Sequence, residues 1–161
     1  MNFIEDKAPI EAMLRSHGWG SVAMSVDGRP YTVPVNYAYV HDRIVFHCGL
    51  EGRKIDTLAA TPHVCFCAAH QEGAVQEHPG GKPCHAASES VLVFGRAIMV
   101  ADAERRLLLA NAFNRVFRPD AKDLTPERMI RCAIVEIVID EMTARREKEG
   151  ATTCWRHVVK S

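Results

Sequence analysis

The chain has 161 residues, of which 47% are apolar, and its 20 basic and 20 acidic side chains give a formal net charge of zero. This length predicts a single domain over residues 1–161, with enough buried apolar surface to fold without disulfides. A neutral chain has no broad field to attract nucleic acid or an anionic membrane, so any anion site must be a local cluster of cations. Its apolar runs are too short for a membrane helix and its first residues are acidic, so we expect a soluble, cytoplasmic protein.

The six cysteines do not form a recognisable disulfide or zinc pattern. The spacings C-x2-C and H-x3-H, typical of zinc sites, are absent. Cys84 and Cys154 lie in predicted loop and tail sequence. The other four lie in apolar segments, where a free thiol acts as a small hydrophobe; they are Cys48, Cys65, Cys67 and Cys132. We therefore predict reduced, structural thiols and no metal site.

The first half of the chain predicts one helix followed by a β-meander. Residues 7–17 form a short amphipathic pattern with Pro9 in its first turn. Apolar and polar residues then alternate with the period of a strand. The dipeptide Asp27-Gly28 is typical of a tight hairpin turn, and Pro34 predicts an edge strand or a bulge because it has no N–H for a ladder. The predicted strands are Ser21–Val26, Tyr31–Val40 and Arg43–Cys48.

The second half predicts three further strands and three short helices. Residues 71–87 are polar and rich in proline and glycine, which predicts a long loop. Gly95, inside a strand pattern, predicts a bulge or the close approach of another backbone. Asp102 predicts the N-cap of a helix that runs to Phe117, and residues 141–161 predict a charged C-terminal tail that carries Trp155. The remaining elements are helices at Ile55–Ala60 and Thr125–Glu127 and strands at Val64–Ala68, Ser88–Ala101 and Cys132–Asp140.

Six strands with short helices between them, and without regular βαβ alternation, predict an α+β fold that is mainly β. The expected architecture is a six-stranded antiparallel barrel with short flanking helices and a core over residues 18–140. Closure of such a barrel would remove the exposed edges of the sheet.

The segment between the third strand and the next helix carries the most informative chemistry. Gly49 and Gly52 allow a close backbone approach, and Arg53 and Lys54 lie in the first turn of the helix. The helix dipole disfavours cations at this end unless an anion neutralises them, so a phosphate would satisfy both the cations and the free N–H groups. The alternative interpretation is a pair of solvated surface charges. The Gly-Lys-Ser/Thr of a Walker loop is missing.

A second candidate feature surrounds Pro34, which breaks a ladder and leaves neighbouring carbonyl and amide groups free to bond a flat heterocycle. Asn36 adds a further donor or acceptor. The alternative interpretation is a bulged edge strand without a ligand. His47, at the end of the strand before the phosphate loop, is a candidate for phosphate binding or proton transfer, or else a polar residue on the outer face of the barrel.

Together these segments resemble a known family. The patterns P-Y-T-V-P-V-N-Y-A-Y, R-I-V-F-H-C, G-R-K-I-D-T-L-A-A-T-P-H-V-C-F and S-V-L-V-F-G-R-A occur in this order between Gly18 and Asp140. They look like the FMN-binding split-barrel superfamily, and within it like the pyridoxamine-phosphate-oxidase-like proteins that include the 5-nitroimidazole-resistance (Nim) type. The resemblance implies a six-stranded split barrel and a homodimer with FMN at the subunit interface.

The resemblance also implies roles for individual residues. Arg53 and Lys54 would bind the FMN phosphate, and His47 and Cys48 would lie beside the ribityl phosphate. Ser88 would approach the cofactor or its pocket, as would Ser90. The groups presented to the isoalloxazine edge would come from Val33, Pro34, Val35 and Asn36. The chain departs from similar proteins at Met142-Thr143-Ala144-Arg145, where an I-T-G-K-like segment is usual. It also lacks the basic Arg-x-His terminus of vitamin B6 oxidases, so that particular activity is not expected.

The resulting hypothesis is an FMN-dependent oxidoreductase that reduces a small acceptor with electrons from a nicotinamide cofactor or another donor, with His47 as the candidate catalytic residue. One alternative is a flavin carrier or sensor without turnover. Another is a haem-binding split barrel, in which an axial ligand would come from His70, His78 or His85.

Overall fold

The structure is a computed structural model that describes residues 2–76, 85–148 and 150–159. Within these ranges the chain forms nine strands, three α-helices and one 3-10 helix. The strands are β1 (Ile4–Glu5), β2 (Trp19–Val26), β3 (Arg29–Asn36), β4 (Ala38–Val40), β5 (Arg43–Cys48), β6 (His63–Gln76), β7 (His85–Met99), β8 (Ala133–Lys148) and β9 (Ala151–Val158). The helices are α1 (Lys7–Ser16), α2 (Arg53–Ala60), α3 (Ala103–Phe117) and the 3-10 helix Pro126–Met129. Each helix in this part of the chain is too short or too polar to cross a membrane.

The strands form one sheet that curls around an apolar core. Its main path runs β1-β9-β8-β7-β6-β2-β3, and β5 pairs with both β4 and the first part of β8. Neighbouring strands are antiparallel except for β1 and β9, which are parallel. In the described residues no ladder joins β3 to β5, so the barrel is split there rather than closed. The predicted α+β, mainly β, split-barrel class is confirmed.

The strand count differs from the six that were predicted. The expected strand Tyr31–Val40 is divided at Tyr37 into β3 and β4. The expected strand Cys132–Asp140 continues to Lys148, and much of the expected tail forms β9. The reason is burial at every second position beyond Asp140, because Met142 and Ala144 face the core and Trp155 of β9 covers it. Cys154, predicted in a tail, is also buried.

Both ends of the predicted loop over residues 71–87 are strands in the structure. Strand β6 extends to Gln76 and β7 begins at His85, with Gln71 opposite Ser88 and Glu72 opposite Ala87. Gln71 and Glu72 are both exposed, so this hairpin arm lacks the apolar alternation that marks a strand in sequence. His78 and Cys84 lie outside the described residues.

Helices close the core on two sides. The apolar face of α1, made by Ile10, Met13 and Leu14, packs inside the barrel core, which confirms the predicted amphipathic helix. Helix α3 begins after the predicted cap, where Asp102 Oδ1 accepts a hydrogen bond from Arg105 N at 2.8 Å. It covers the other face of β5 and β8 through a second apolar cluster of Val45, Val100, Leu109, Ala110, Met129 and Ile134.

An ion pair between an exposed arginine and a buried carboxylate joins α3 to the sheet. Glu136 of β8 is buried, and its carboxylate accepts hydrogen bonds from Arg105 Nε at 3.0 Å and Arg105 Nη2 at 2.6 Å. A bidentate arginine satisfies both oxygens of a carboxylate that water no longer reaches. The charged residue that interrupts the apolar pattern of β8 is therefore an anchor for α3.

The bulge predicted at Gly95 is present and is a position of close approach. The pairing of β7 with β8 shifts between Phe94 and Gly95, and a Cβ added at Gly95 would lie 2.1 Å from the carbonyl oxygen of Val138. A side chain at this position therefore requires the two strands to move apart.

We expect Gly95→Ala to lower the free energy of unfolding by roughly 1–3 kcal/mol, the usual effect of inserting atoms into a packed core. Urea denaturation followed by circular dichroism measures this loss. The matched control is Gly49→Ala, because the nearest atom to a Cβ there is 4.0 Å away. Equal stability of the two variants would contradict the close strand approach.

Candidate functional site

The split between β3 and β5 is the centre of the candidate site. The β4–β5 ladder ends at Ala38 and Val45, and the residues beyond it diverge. Strand β3 and the end of β5 remain near one another without pairing, and α2 follows directly after β5. A cofactor can therefore contact the free edge of a strand and the start of a helix together.

Strand β3 exposes backbone groups on the edge that faces this split. The two-residue turn Asp27-Gly28 makes Val26 and Arg29 the first hydrogen-bonded pair, and such pairs alternate along an antiparallel ladder. The free edge therefore carries the N–H and C=O groups of Thr32 and Asn36, and the C=O of Pro34. Pro34 has no N–H, but its nitrogen lies on the free edge, where no ladder hydrogen bond is required. This agrees with the edge strand that the sequence predicted.

The start of α2 is an uncapped, cationic helix terminus. Gly52 precedes it with φ 112°, and no side chain caps it. The first helical hydrogen bond is donated by Asp56 N to Gly52 O, so the earlier N–H groups of the first turn point outward without a helical acceptor. Arg53 and Lys54 add two full positive charges to this end of the helix dipole.

Aromatic rings, not carboxylates, hold these two cations. Arg53 Cζ lies 4.3 Å from the centroid of the Tyr31 ring, and Lys54 Nζ lies 5.7 Å from that of Phe46. Within the described ranges neither cation forms an ion pair. Cation–π contacts position a charge without neutralising it, so both remain available to an anion.

Cys48 lies at the end of β5 and packs against the barrel core. Burial raises the pKa of the Cys48 thiol, and the nearby Lys54 ammonium partly offsets that effect. The thiol is therefore protonated and neutral at physiological pH, and it adds no negative charge near the start of α2.

The predicted site residues divide into two groups. Pro34 and Asn36 lie exposed on β3, and Cys48, Arg53 and Lys54 lie around the split. Val33 and Val35 point inward and pack in the core, with their backbone groups in the β2 ladder. The prediction of these residues as ligand contacts remains untested.

Three other predicted residues lie elsewhere in the protomer. His47 points to the opposite face of β5, where its ring is 5.2 Å from that of Phe113 in a T-shaped contact. Ser88 and Ser90 are half-buried on β7, which β6 and β2 separate from β3. The sequence interpretation missed Tyr31 and Thr32, although the spacing from the Asp27-Gly28 turn identifies both faces of β3.

Of the three histidines considered for haem, the structure describes the side chain of His70. The His70 ring lies 5.0 Å from that of His17, and His17 Nε2 lies 2.8 Å from Glu89 Oε1. The side chain of His85 falls outside the described residues, as does all of His78. Searched over the described ranges, the chain has no group of three or more His, Cys, Asp or Glu residues arranged to hold a metal.

The structure is therefore of the split-barrel class, with the uncapped, cationic start of α2 at the opening of the barrel. Residues 6–146 match the family model described as pyridoxamine 5'-phosphate oxidase, so the chain belongs to that family. This confirms the resemblance found in the sequence. No curated protein shows a significant sequence match.

Solved structures with the same fold support this assignment. A candidate 5-nitroimidazole antibiotic resistance protein from Bacteroides thetaiotaomicron is 26% identical, with a TM-score of 0.77 over 89% of this chain and 85% of that chain. The flavocytochrome Anf3 from Azotobacter vinelandii is 16% identical, with a TM-score of 0.77 over 98% of this chain and 80% of that chain. The FAD and heme binding protein from Mycobacterium smegmatis is 19% identical, with a TM-score of 0.77 over 98% and 76%.

The proximity of Lys54 and Cys48 gives a prediction that needs no ligand. Because the ammonium lowers the pKa of the Cys48 thiol, Lys54→Met should raise that pKa and slow alkylation of Cys48 by iodoacetamide at a fixed pH. Mass spectrometry of the modified peptide measures the rate across a pH series. Cys67 is the internal control, because burial alone raises its pKa. An unchanged Cys48 profile would contradict the placement of Lys54.

Proposed function

We propose that the protein binds FMN in the split between β3 and β5 and acts as an FMN-dependent oxidoreductase on a small acceptor. The observation that carries the proposal is the uncapped start of α2, where Arg53 and Lys54 lie without acidic partners in the described residues. Membership of the pyridoxamine 5'-phosphate oxidase family supports the same cofactor class. The flavocytochrome and the FAD and heme binding protein show that this fold accommodates flavins.

The phosphate of FMN fits the start of α2 for three physical reasons. Free first-turn N–H groups donate hydrogen bonds to phosphate oxygens, and the helix dipole favours negative charge at this end. Arg53 supplies a planar guanidinium that can donate two parallel hydrogen bonds, and Lys54 supplies a compact second charge. The protonated thiol of Cys48 introduces no competing anion.

The ring of FMN fits the free edge of β3. One edge of an isoalloxazine carries carbonyl oxygens and a ring N–H, which need donors and an acceptor. The N–H groups of Thr32 and Asn36 are donors on the free edge, and the carbonyl of Pro34 is an acceptor between them. These backbone donors and the carbonyl acceptor would orient the isoalloxazine ring without any charged side chain.

Bound FMN supplies the redox chemistry, and the protein holds, orients and shields it. Arg53 and Lys54 place positive charge at the phosphate end. Val33 and Val35 give the adjoining part of β3 its apolar packing, which excludes water from the barrel side. His47 faces away from the split, so we assign no proton transfer to it within one protomer. An acceptor and a nicotinamide donor would reach the cofactor from the open side.

We extend the proposal to a homodimer in which the partner covers the outer face of the sheet. Trp19 is 59% exposed, Phe94 41% and Leu92 37%, although all three are apolar. In the β6–β7 ladder, half-buried Cys65 lies opposite Phe94 and half-buried Cys67 lies opposite Leu92. The apolar face is therefore continuous across β6 and β7. The free thiols of Cys65 and Cys67 also fit a cytoplasmic location, where cysteines stay reduced.

The phosphate site is tested by comparing FMN with riboflavin, which lacks the phosphate. Arg53→Ala/Lys54→Ala should weaken FMN binding by about tenfold to a hundredfold or more, as expected for the loss of charge-assisted hydrogen bonds, and leave riboflavin binding unchanged. Quenching of flavin fluorescence measures both affinities. Arg118→Ala, an exposed cation after α3, is the matched control. Equal losses for FMN and riboflavin, or no loss of FMN binding, would contradict this site.

Turnover separates the enzyme from a flavin carrier in the same preparation. With NADH or NADPH as donor, the FMN-loaded protein should reduce quinones or nitroaromatics faster than an equal concentration of free FMN. A rate equal to that of free FMN would assign a carrier or sensor role. A colourless protein that fails to bind added FMN would refute flavin binding altogether.

The dimer is tested by placing a charge on the apolar outer face. Phe94→Arg should convert a dimer into a monomer in sedimentation equilibrium, because a buried unpaired guanidinium is strongly unfavourable at an interface. Leu108→Arg, on the exposed side of α3, is the control and should remain a dimer. A monomeric wild-type protein would refute the homodimer.

A further inference from the structure

A cleft next to the phosphate site contains one of the residues assigned to FMN, Arg53, and is otherwise not used by that proposal. It lies between the β2–β3 hairpin and α2, has a volume of about 600 Å³, and is called here the hairpin cleft. Its lining residues are Val26, Asp27, Arg29, Tyr31, Arg53, Asp56, Thr57 and Ala60. Sites for small molecules span roughly 300–1,000 Å³, so this volume suits a nucleoside-sized group rather than a phosphate alone.

The charges of the hairpin cleft favour a ligand with both an anion and hydrogen-bond donors. Arg29 and Arg53 are cations, whereas Asp27 and Asp56 are carboxylates that only accept hydrogen bonds when ionised. Across the described part of the chain, none of these four side chains is ion-paired. A simple anion would be repelled by the carboxylates, but amino and hydroxyl groups would be bound by them.

The hairpin cleft also offers a surface for a flat ring. The guanidinium of Arg53 lies over the half-buried Tyr31 ring at 4.3 Å, so both planar groups are held in the wall of the cleft. Planar heterocycles stack on guanidinium and aromatic faces. A base with an exocyclic amine would stack here and donate to a carboxylate.

The cleft is continuous with the phosphate site. Lys54 lies over Phe46 at the split, Arg53 lies over Tyr31, and Arg29 lines the cleft beyond it. Arg53 therefore belongs to both sites. This arrangement provides cations for two successive phosphates, the second of which leads into the hairpin cleft.

We propose that the hairpin cleft binds the adenosine 5'-phosphate half of a dinucleotide. Arg29 and Arg53 bind its phosphate, the Arg53–Tyr31 pair stacks the adenine, and Asp27 and Asp56 accept hydrogen bonds from the amino and ribose hydroxyl groups. The proposal rests on the proposed function because Arg53 is shared with the FMN phosphate site. The adenosine phosphate has two chemical sources, FAD in place of FMN or the nicotinamide dinucleotide that donates electrons.

The test uses 5'-AMP, FMN, FAD and NADH as probes of the full-length protein. Calorimetric titration should show that 5'-AMP binds to the wild type. Arg29→Ala should weaken 5'-AMP binding by about tenfold or more, the usual effect of losing a charge-assisted contact, and leave FMN binding unchanged. Arg118→Ala should change neither. Because Arg29 is exposed, its removal should leave the thermal unfolding temperature unchanged.

Two supporting outcomes distinguish the sources. Tighter binding of FAD than of FMN, with the difference lost in Arg29→Ala, assigns the adenosine phosphate to the flavin. Equal binding of FAD and FMN, with 5'-AMP competing against NADH on the FMN-loaded protein, assigns it to the electron donor. Failure of 5'-AMP to bind the wild type, or equal 5'-AMP affinity in Arg29→Ala, would overturn the proposal. Binding of 5'-AMP without any binding of FMN would refute the proposed function and leave the adenosine phosphate site standing.

Discussion

The contacts of Tyr37 fix the chain where β3 ends and β4 begins, and the split of the candidate site lies at this break. Its hydroxyl donates to the carbonyl of Leu14 at 2.9 Å, and its backbone N–H donates to the carbonyl of Gly18 at 3.0 Å. Its ring meets Phe66 edge-on at 4.6 Å in the core. Burial raises the pKa of the Tyr37 hydroxyl, so the group stays a neutral donor. These contacts hold the chain at the break between β3 and β4, and in the described residues β4 pairs with β5 whereas β3 does not.

The positive charges of Arg53 and Lys54 at the opening are held in position without being neutralised, so they remain available to an anion. A carboxylate partner would hold Arg53 or Lys54 equally firmly, but it would compete with a phosphate for the same donors. The rings of Tyr31 and Phe46 hold the cations through their faces, and Phe46 is itself fixed by complete burial. The opposite arrangement occurs at Glu136, where Arg105 neutralises a buried carboxylate and anchors α3 to the sheet.

Local sequence signals predicted the fold where one residue type has one structural consequence. Asp27-Gly28 identified the hairpin, Asp102 the cap of α3, and Gly95 the bulge. The signals failed where the exposed or buried state depends on distant segments. Residues 141–148 were predicted as a charged tail because both strands that pair with them, β7 and β9, are distant partners that no local pattern identifies, and β9 is itself partly polar.

The candidate site could be predicted only in part, again because some of its features depend on segments that are distant in the sequence. Arg53 and Lys54 were identified because cations at a helix start are locally unfavourable. The direction of the His47 side chain was not identified, because only the three-dimensional position of α3 shows that this side chain packs against Phe113. The role of Tyr31 required knowledge that a residue on β3 lies beneath a residue on α2, a contact between segments that share no local pattern.

The most direct test of this account is a crystal structure of the protein grown with FMN. We expect the phosphate to lie at the first turn of α2 within hydrogen-bond distance of Arg53 and Lys54. We also expect the ring to lie against the free edge of β3, bonded to the backbone of Thr32, Pro34 and Asn36. Electron density for FMN at another surface, with the start of α2 bound only by water, would contradict it.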